Sequence, residues 1–349
     1  MSRVEREGAF KALAVVNNAI SVRMLACALE KDGLKPEDVL VISARKLDDP
    51  WLDCFQQHLP YPAKPRQTLL GQWPFISFYR SAARLIKNAV RAPKLERIYL
   101  VNIENLLTNH LLLMASTRRD IEVVLVVEGI FNFQEITRRN RARWRWLAKP
   151  VLARLLGLQW RAPVEHLSGA FEPGIRRVVS FTDIGLKAPA EKIDLIAWQP
   201  VSPSVAPDPQ TLIIVHTGLW QWMDHEAYLH VARAFVRWVE QQKFTRIIVK
   251  HHPHVAPGAL EDMLPPHETW NINVSMEELA PEIPAATVAG TCCTALVTLK
   301  LLRPDLHCVD VGADFYCEAA YHGDHSVEHL LSGAGVEIVS IGQPEGAMR

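Results

Sequence analysis

Short runs of aliphatic and β-branched residues recur along the chain, each closed by a polar or glycine-containing turn and most followed by a helical stretch, which limits it to an α/β architecture. The first run, Ala12–Val16, ends at Asn17 and Asn18 and leads into a helical stretch over 22–31. Val39–Ser43, 97–101 and 121–127 follow in the same form. None alternates apolar with polar residues, as expected of strands covered on both faces in a parallel sheet.

Residues 189–209 contain Pro189, Pro200, Pro203, Pro207 and Pro209 and end in Ser-Pro-Ser-Val-Ala-Pro-Asp-Pro-Gln, a stretch that neither a helix nor a central strand accommodates. The alternation then restarts: strands at 212–216, Arg246–Lys250, 287–289 and His307–Val311, with helices at 225–241, Ala259–Met263 and Thr294–Leu302. This predicts two domains, 1–200 and 201–349, with the carboxyl ends of two parallel sheets facing each other across a cleft. A chain of 349 residues, 49% hydrophobic, has the length and apolar content for two such cores.

Lys plus Arg (38) equals Asp plus Glu (38), so the global charge points away from nucleic acid. Locally the balance breaks over 138–161, where Arg138, Arg139, Arg141, Arg143, Arg145, Lys149, Arg154 and Arg161 interleave with Trp144, Trp146 and Trp160 and no acid intervenes. Two readings stay open: a solvated basic helix with its indoles tucked inward, or a contact surface for an acidic glycan or anionic lipid headgroups, with Arg138, Arg141, Trp144 and Arg145 as its contacts. The charged start lacks the apolar core and cleavage site of a signal peptide, and no later run is long and apolar enough to span a bilayer. A cytoplasmic protein, peripheral at the inner membrane if the basic segment touches lipid, is expected. The six cysteines form no Cys-x-x-Cys pair, and adjacent Cys292 and Cys293 read as small core residues.

Three segments carry polar residues to the ends of strands. In Leu125-Val126-Val127-Glu128-Gly129 a carboxylate closes an apolar run, where low polarity raises its proton affinity toward that of a base. In Ile247-Ile248-Val249-Lys250-His251-His252-Pro253-His254 one strand delivers a lysine and three histidines to a loop that Pro253 stiffens. A metal is disfavoured there, because adjacent histidines on an extended loop diverge; a grip on phosphate, with an imidazole as acid, fits better. In Thr287-Val288-Ala289-Gly290-Thr291-Cys292-Cys293-Thr294 a glycine turn opens a helix whose first N–H groups, beside Thr291 and Thr294, suit an anion. Plain N-capping by either threonine is the alternative. No Asp-x-Asp motif occurs, so protein donors rather than Mg²⁺ would stabilise a leaving phosphate.

The order Glu-Gly, Lys-x-His-Pro, then a hydroxyl-bearing helix start resembles the bacterial sialyltransferases, most closely the polysialyltransferase-like family, over roughly 12–311. The resemblance implies a GT-B glycosyltransferase fold of two Rossmann-like domains and a CMP-sugar substrate, with neither cofactor nor metal. It implies Glu128 as the base that deprotonates an acceptor hydroxyl, and His252, supported by Lys250 and Pro253, as the partner of the departing CMP phosphate. Thr294, with Thr291 near, would stand for the family's hydroxyl pair. Glu277, or its neighbour Glu278, would bind the ribose, and Gly218 would let the donor approach the backbone. The chain departs from the pattern at Val127, where a second acid is common, at Cys293, in place of one hydroxyl, and at Ser275, in place of a proline.

The leading reading is therefore an inverting transferase that moves sialic acid from CMP-sialic acid to a glycan hydroxyl, of polysialic acid, capsule or lipooligosaccharide type. One alternative is another CMP- or CDP-dependent transferase of this fold, moving Kdo or a polyol phosphate. The other is a non-catalytic protein that binds membranes or polyanions through 138–161, and it leaves the Lys-His-His-Pro loop unexplained.

Overall fold

The computed structural model describes residues 10–47, 50–62, 73–136, 143–218, 223–251, 258–270, 272, 274–321 and 323–342; for Trp73, Arg143, Trp144, Arg145 and Tyr321 it describes the backbone alone. The chain divides into two compact units, one of 1–132, 136–183 and 187–197, the other of 133–135, 184–186 and 198–349.

The first unit is built on a parallel seven-stranded sheet. Its elements run β1 (Ala12–Val16), α1 (Ala19–Lys31), β2 (Val39–Ser43), β3 (Gln57–Leu59), α2 (Trp73–Arg91), β4 (Arg97–Leu100), α3 (Leu106–Ala115), β5 (Glu122–Val126), α4 (Arg143–Leu155), β6 (Arg177–Ser180) and β7 (Ile193–Leu195). The strands lie in the order β3-β2-β1-β4-β5-β6-β7, so the direction of winding reverses between β1 and β4. Every residue of β1 and β2 is buried, which accounts for their unbroken apolar runs. At the amino ends of the strands Arg97, Glu122 and Arg177 join Asp32 and Asp194 in an ion-pair network. Burial works against ionising Asp32, but hydrogen bonds from Arg177 and Tyr99 hold its carboxyl below the ordinary value.

The second unit repeats the plan with β8 (Asp208–Val215), α5 (His225–Gln242), β9 (Arg246–Lys250), α6 (Ala259–Met263), β10 (Glu268–Trp270), α7 (Met276–Leu279), β11 (Ala285–Gly290), α8 (Thr294–Leu302), β12 (His307–Val311), α9 (Ala313–Tyr321), α10 (Ser326–Gly333) and β13 (Glu337–Val339). Its six parallel strands lie in the order β10-β9-β8-β11-β12-β13, reversing between β8 and β11. Helix α5 starts where the Asp224 side chain accepts the Ala227 N–H (2.9 Å), and it buries Tyr228, Val231, Ala232, Phe235, Trp238 and Val239 at helical spacing over the sheet.

One expectation fails at the start of this unit. The proline run was expected to exclude a strand, yet β8, a central strand, begins at Asp208 and includes Pro209. Pro209 is exposed, and the ladder to β11 shifts register between Ala285 and Thr287, so the missing N–H falls where pairing is already irregular.

Candidate active site

Open parallel sheets expose their crevice at the carboxyl ends of the strands where the winding reverses. In the first unit that point lies beyond β1 and β4, with β5 adjacent, and each of these strands delivers a polar residue there. Asn17 follows β1 directly, Asn102 lies two residues past β4 and Glu128 two past β5. The Asn17 side-chain amide donates to one oxygen of the Glu128 carboxylate and the Asn102 amide to the other. The backbone of Glu128 is held as well: Asn18 Nδ2 donates to its carbonyl (2.8 Å), and its N–H donates to Asn132 Oδ1 (3.0 Å). Asn18 also caps α1, accepting the Ser21 N–H while the Ser21 hydroxyl donates back to the Asn18 carbonyl. Gly129 turns the chain away at φ +133°, a conformation closed to ordinary side chains.

Glu128 is 6% exposed. Burial pushes its carboxyl above the ordinary value, the Asn102 and Asn17 amides and the Arg45 charge pull it back, and Glu104 adds to the rise. Neutral amides orient a carboxylate without the full charge of a guanidinium, so its proton affinity survives. Oriented, buried and basic, Glu128 has the properties of a general base. The sequence reading singled out Glu128 and passed over its two holders. Asn17 and Asn102 carried the signal it used for Glu128, a polar residue at the end of an apolar strand.

In the second unit Lys250 closes β9. It is buried, its Nζ donates to the His251 carbonyl (3.0 Å), and burial pushes its ammonium below the ordinary value against the pull of Glu277. Glu277, in the first turn of α7, is buried and accepts the Thr298 hydroxyl (2.5 Å). Its neighbour Glu278 is engaged elsewhere, closing a capping box with Ser275. Of the two glutamates the sequence offered, Glu277 is the one electrostatically joined to Lys250.

The turn from β11 into α8 rules out the capping alternative. Neither threonine caps α8: the N-cap is Cys293, without a side-chain hydrogen bond, and Thr294 is the first helical residue. Thr291 is buried and gives its hydroxyl proton to the Val311 carbonyl (2.7 Å), tying the turn to β12. Cys292 stands at φ +44° and donates its N–H to Asp310 Oδ2 (2.6 Å). At Gly290 a Cβ would lie 3.1 Å from the Val215 carbonyl oxygen, so a larger residue there would require the β8 backbone to give by a few tenths of an ångström. Gly218 follows Thr217, whose hydroxyl donates to the Thr291 carbonyl (3.1 Å). His252 and Pro253 lie outside the described residues.

The basic, tryptophan-rich segment is met by acids from elsewhere in the chain. Lys149 pairs with Glu104 (3.0 Å) and lies over the Trp146 ring (4.8 Å), Trp146 packs on Trp160 (5.8 Å), and Arg161 pairs with Glu172 (2.6 Å). Four apolar residues of α4 face solvent: Leu147, Val151, Leu152 and Leu155 are 76%, 62%, 47% and 68% exposed, beside exposed Arg154. Trp144 and Arg145 begin this helix; Arg138 and Arg141 lie outside the described residues. No helix among the described residues is long and apolar enough to cross a membrane.

No protein-family model matches the chain, and no curated protein matches its sequence. Among solved structures it is similar to the alpha/beta-galactoside alpha-2,3-sialyltransferase of the luminous marine bacterium Photobacterium phosphoreum, at 11% identity and a TM-score of 0.51, over 95% of this chain and 98% of that one. It also matches the UDP-GlcNAc 2-epimerase of Neisseria meningitidis (10% identity, TM-score 0.47, 95% and 88% covered) and the calicheamicin glycosyltransferase CalG4 (13%, 0.43, 95% and 86%). The chain has the α/β GT-B fold, with two Rossmann-like parallel-sheet domains.

Proposed function

We propose that the protein is an inverting glycosyltransferase that moves sialic acid from CMP-sialic acid to a hydroxyl of a glycan acceptor. The observation that carries the reading is Glu128, a buried carboxylate held at both oxygens by neutral amides and raised in proton affinity. In this reading Glu128 takes the proton of the acceptor hydroxyl as its oxygen attacks the anomeric carbon. The C–O bond to CMP breaks in the same displacement, which inverts the anomeric centre. In this reading Lys250, the α8 N-terminus with Thr294, and His252 neutralise the departing phosphate, and Glu277 binds the ribose.

The assay is release of CMP by purified protein from CMP-sialic acid, CMP-Kdo and CDP-glycerol in parallel, with a mixture of glycan acceptors present and the anomer of the transferred sugar read by NMR. CMP-sialic acid should turn over and give the inverted product. Turnover of either competitor without CMP-sialic acid would sink the donor assignment, and a retained anomer would sink the single displacement.

The acceptor side of the proposal includes a peripheral contact with an anionic membrane through α4, supported by its exposed apolar residues and adjacent arginines. Full burial of one leucine side chain is worth roughly 1.5–3 kcal/mol. The double variant Leu147→Glu, Leu155→Glu should therefore lower cosedimentation with phosphatidylserine-containing vesicles by about tenfold or more. Equal sedimentation of the variant and the parent would remove α4 from the contact.

A further inference from the structure

We propose that His216, His251 and Glu261 form a binding site for one divalent transition-metal ion, zinc by the chemistry of the donor set, in the second unit. The ligands come from three segments. His216 follows β8 and His251 follows β9, and the His216 N–H donates to the Lys250 carbonyl (3.0 Å), so both histidines leave the carboxyl end of the sheet side by side. Glu261 belongs to α6, which is pinned where the Leu260 N–H donates to the Tyr228 hydroxyl oxygen (3.0 Å). The sequence argument against a metal weighed histidines adjacent on one loop; this set joins one histidine of that loop to residues 35 positions before it and 10 after it, from the numbering 251 − 216 and 261 − 251.

The geometry is that of a ligand set. Glu261 Oε1 lies 3.2 Å from His216 Nδ1 and 2.8 Å from His251 Nδ1, and the two rings stand at 80° to each other. One donor atom from each residue lies within 4.8 Å of the other two. A tetrahedral zinc with bonds of about 2.0–2.1 Å holds its ligand atoms about 3.3 Å apart, and the two edges to Glu261, at 3.2 and 2.8 Å, already lie near that value. The competing arrangement, a carboxylate that accepts imidazole N–H bonds, is poorly made: Glu261 Oε1 and His251 Nδ1 are buried and 2.8 Å apart, yet form no hydrogen bond of ordinary direction. A cation among them satisfies both atoms at once. Two imidazoles and one carboxylate leave the fourth zinc position open.

The site does not depend on the donor sugar proposed above, and its test reads metal rather than turnover. Full-length protein stripped with chelator, reloaded with zinc and desalted should retain about one zinc per chain by elemental analysis. Cobalt in its place should give the intense visible bands of a tetrahedral site, and zinc should raise the Tm of the stripped parent protein. Glu261→Gln and His216→Ala should each reduce retained zinc at least about fivefold, while Cys54→Ser, at an exposed thiol, leaves it unchanged. Retention below about 0.1 zinc per chain, or unchanged retention in both ligand variants, overturns the proposal. Should the variants fail to fold, the parent decides alone: a zinc-dependent rise in Tm with the tetrahedral cobalt spectrum supports the site, and the absence of either overturns it.

Discussion

Glu128→Gln should lower the rate of sugar transfer by about 10²–10⁴-fold, the range associated with loss of a positioned general base, while leaving the KM for the nucleotide donor nearly unchanged. Glutamine fills the same space and can still accept one of the two asparagine amides, so the loss is one of proton affinity rather than of shape. The pH profile follows in sign. A base works when deprotonated, and burial raises the Glu128 carboxyl above its ordinary value, so the acid limb of the parent's kcat/KM should lie above the usual carboxylate range. Below it the rate falls tenfold per pH unit. Asn102→Ala removes a hydrogen bond that favours the ionised form, so it should move that limb further up as well as lower the rate. A purely structural asparagine would lower the rate and leave the limb in place. Transfer by Glu128→Gln within about threefold of the parent would remove Glu128 from the chemistry.

The second large effect concerns stability and belongs to Asp310. This residue is fully buried on β12 and accepts the Cys292 N–H in the turn that opens α8. Burial raises its carboxyl from 3.8 to about 8, against the pull of the Cys292 and Ala313 N–H groups and with a further push from Asp314 and Glu328. The sign is set by which state holds the proton. Between 3.8 and about 8 the folded chain keeps a proton that the unfolded chain has lost, so the contribution to stability is full below 3.8 and declines as pH rises through about 8. The slope is at most about 1.4 kcal/mol per pH unit for one group. Asp310→Asn keeps an acceptor for Cys292 and cannot ionise. Its Tm should vary less from about pH 5 to about pH 9 and should exceed the parent's at the alkaline end. Parallel Tm profiles for the two proteins would show that Asp310 does not titrate in this window.

The central strands were legible because burial on both faces writes itself as continuous apolar runs: β1, β2, β9 and β12 carry the bounds read from sequence, as do α6 and α8. The elements missed have physical reasons. The edge strands β3, β7, β10 and β13 are three residues long, too short to show a period. Helix α3 buries Leu107, Thr108, Asn109, His110, Leu111 and Leu112 in succession, so it shows no polar face to alternate with. At the candidate site, single residues were legible and partnerships were not. Glu128 stood out by its place after a strand, but its pairing with Asn17 and Asn102 depends on β1, β4 and β5 being neighbours in the sheet, an order unrelated to their spacing in the chain. The same holds for His216, His251 and Glu261, which only the adjacency of β8 and β9 and the return of α6 bring together.

The hold on Glu128 is anchored to three consecutive strands of one sheet, whose separation of about 4.8 Å is set by the backbone ladder. Two of its bonds cross from strand to strand, so the carboxylate cannot swing without breaking contacts to segments rooted in the rigid centre of the unit. The entropy of aiming this carboxylate is therefore lost when the chain folds, and in the proposed role of base it would leave little reorganisation for the moment of reaction. A base mounted on a surface loop would have to be ordered anew in every turnover.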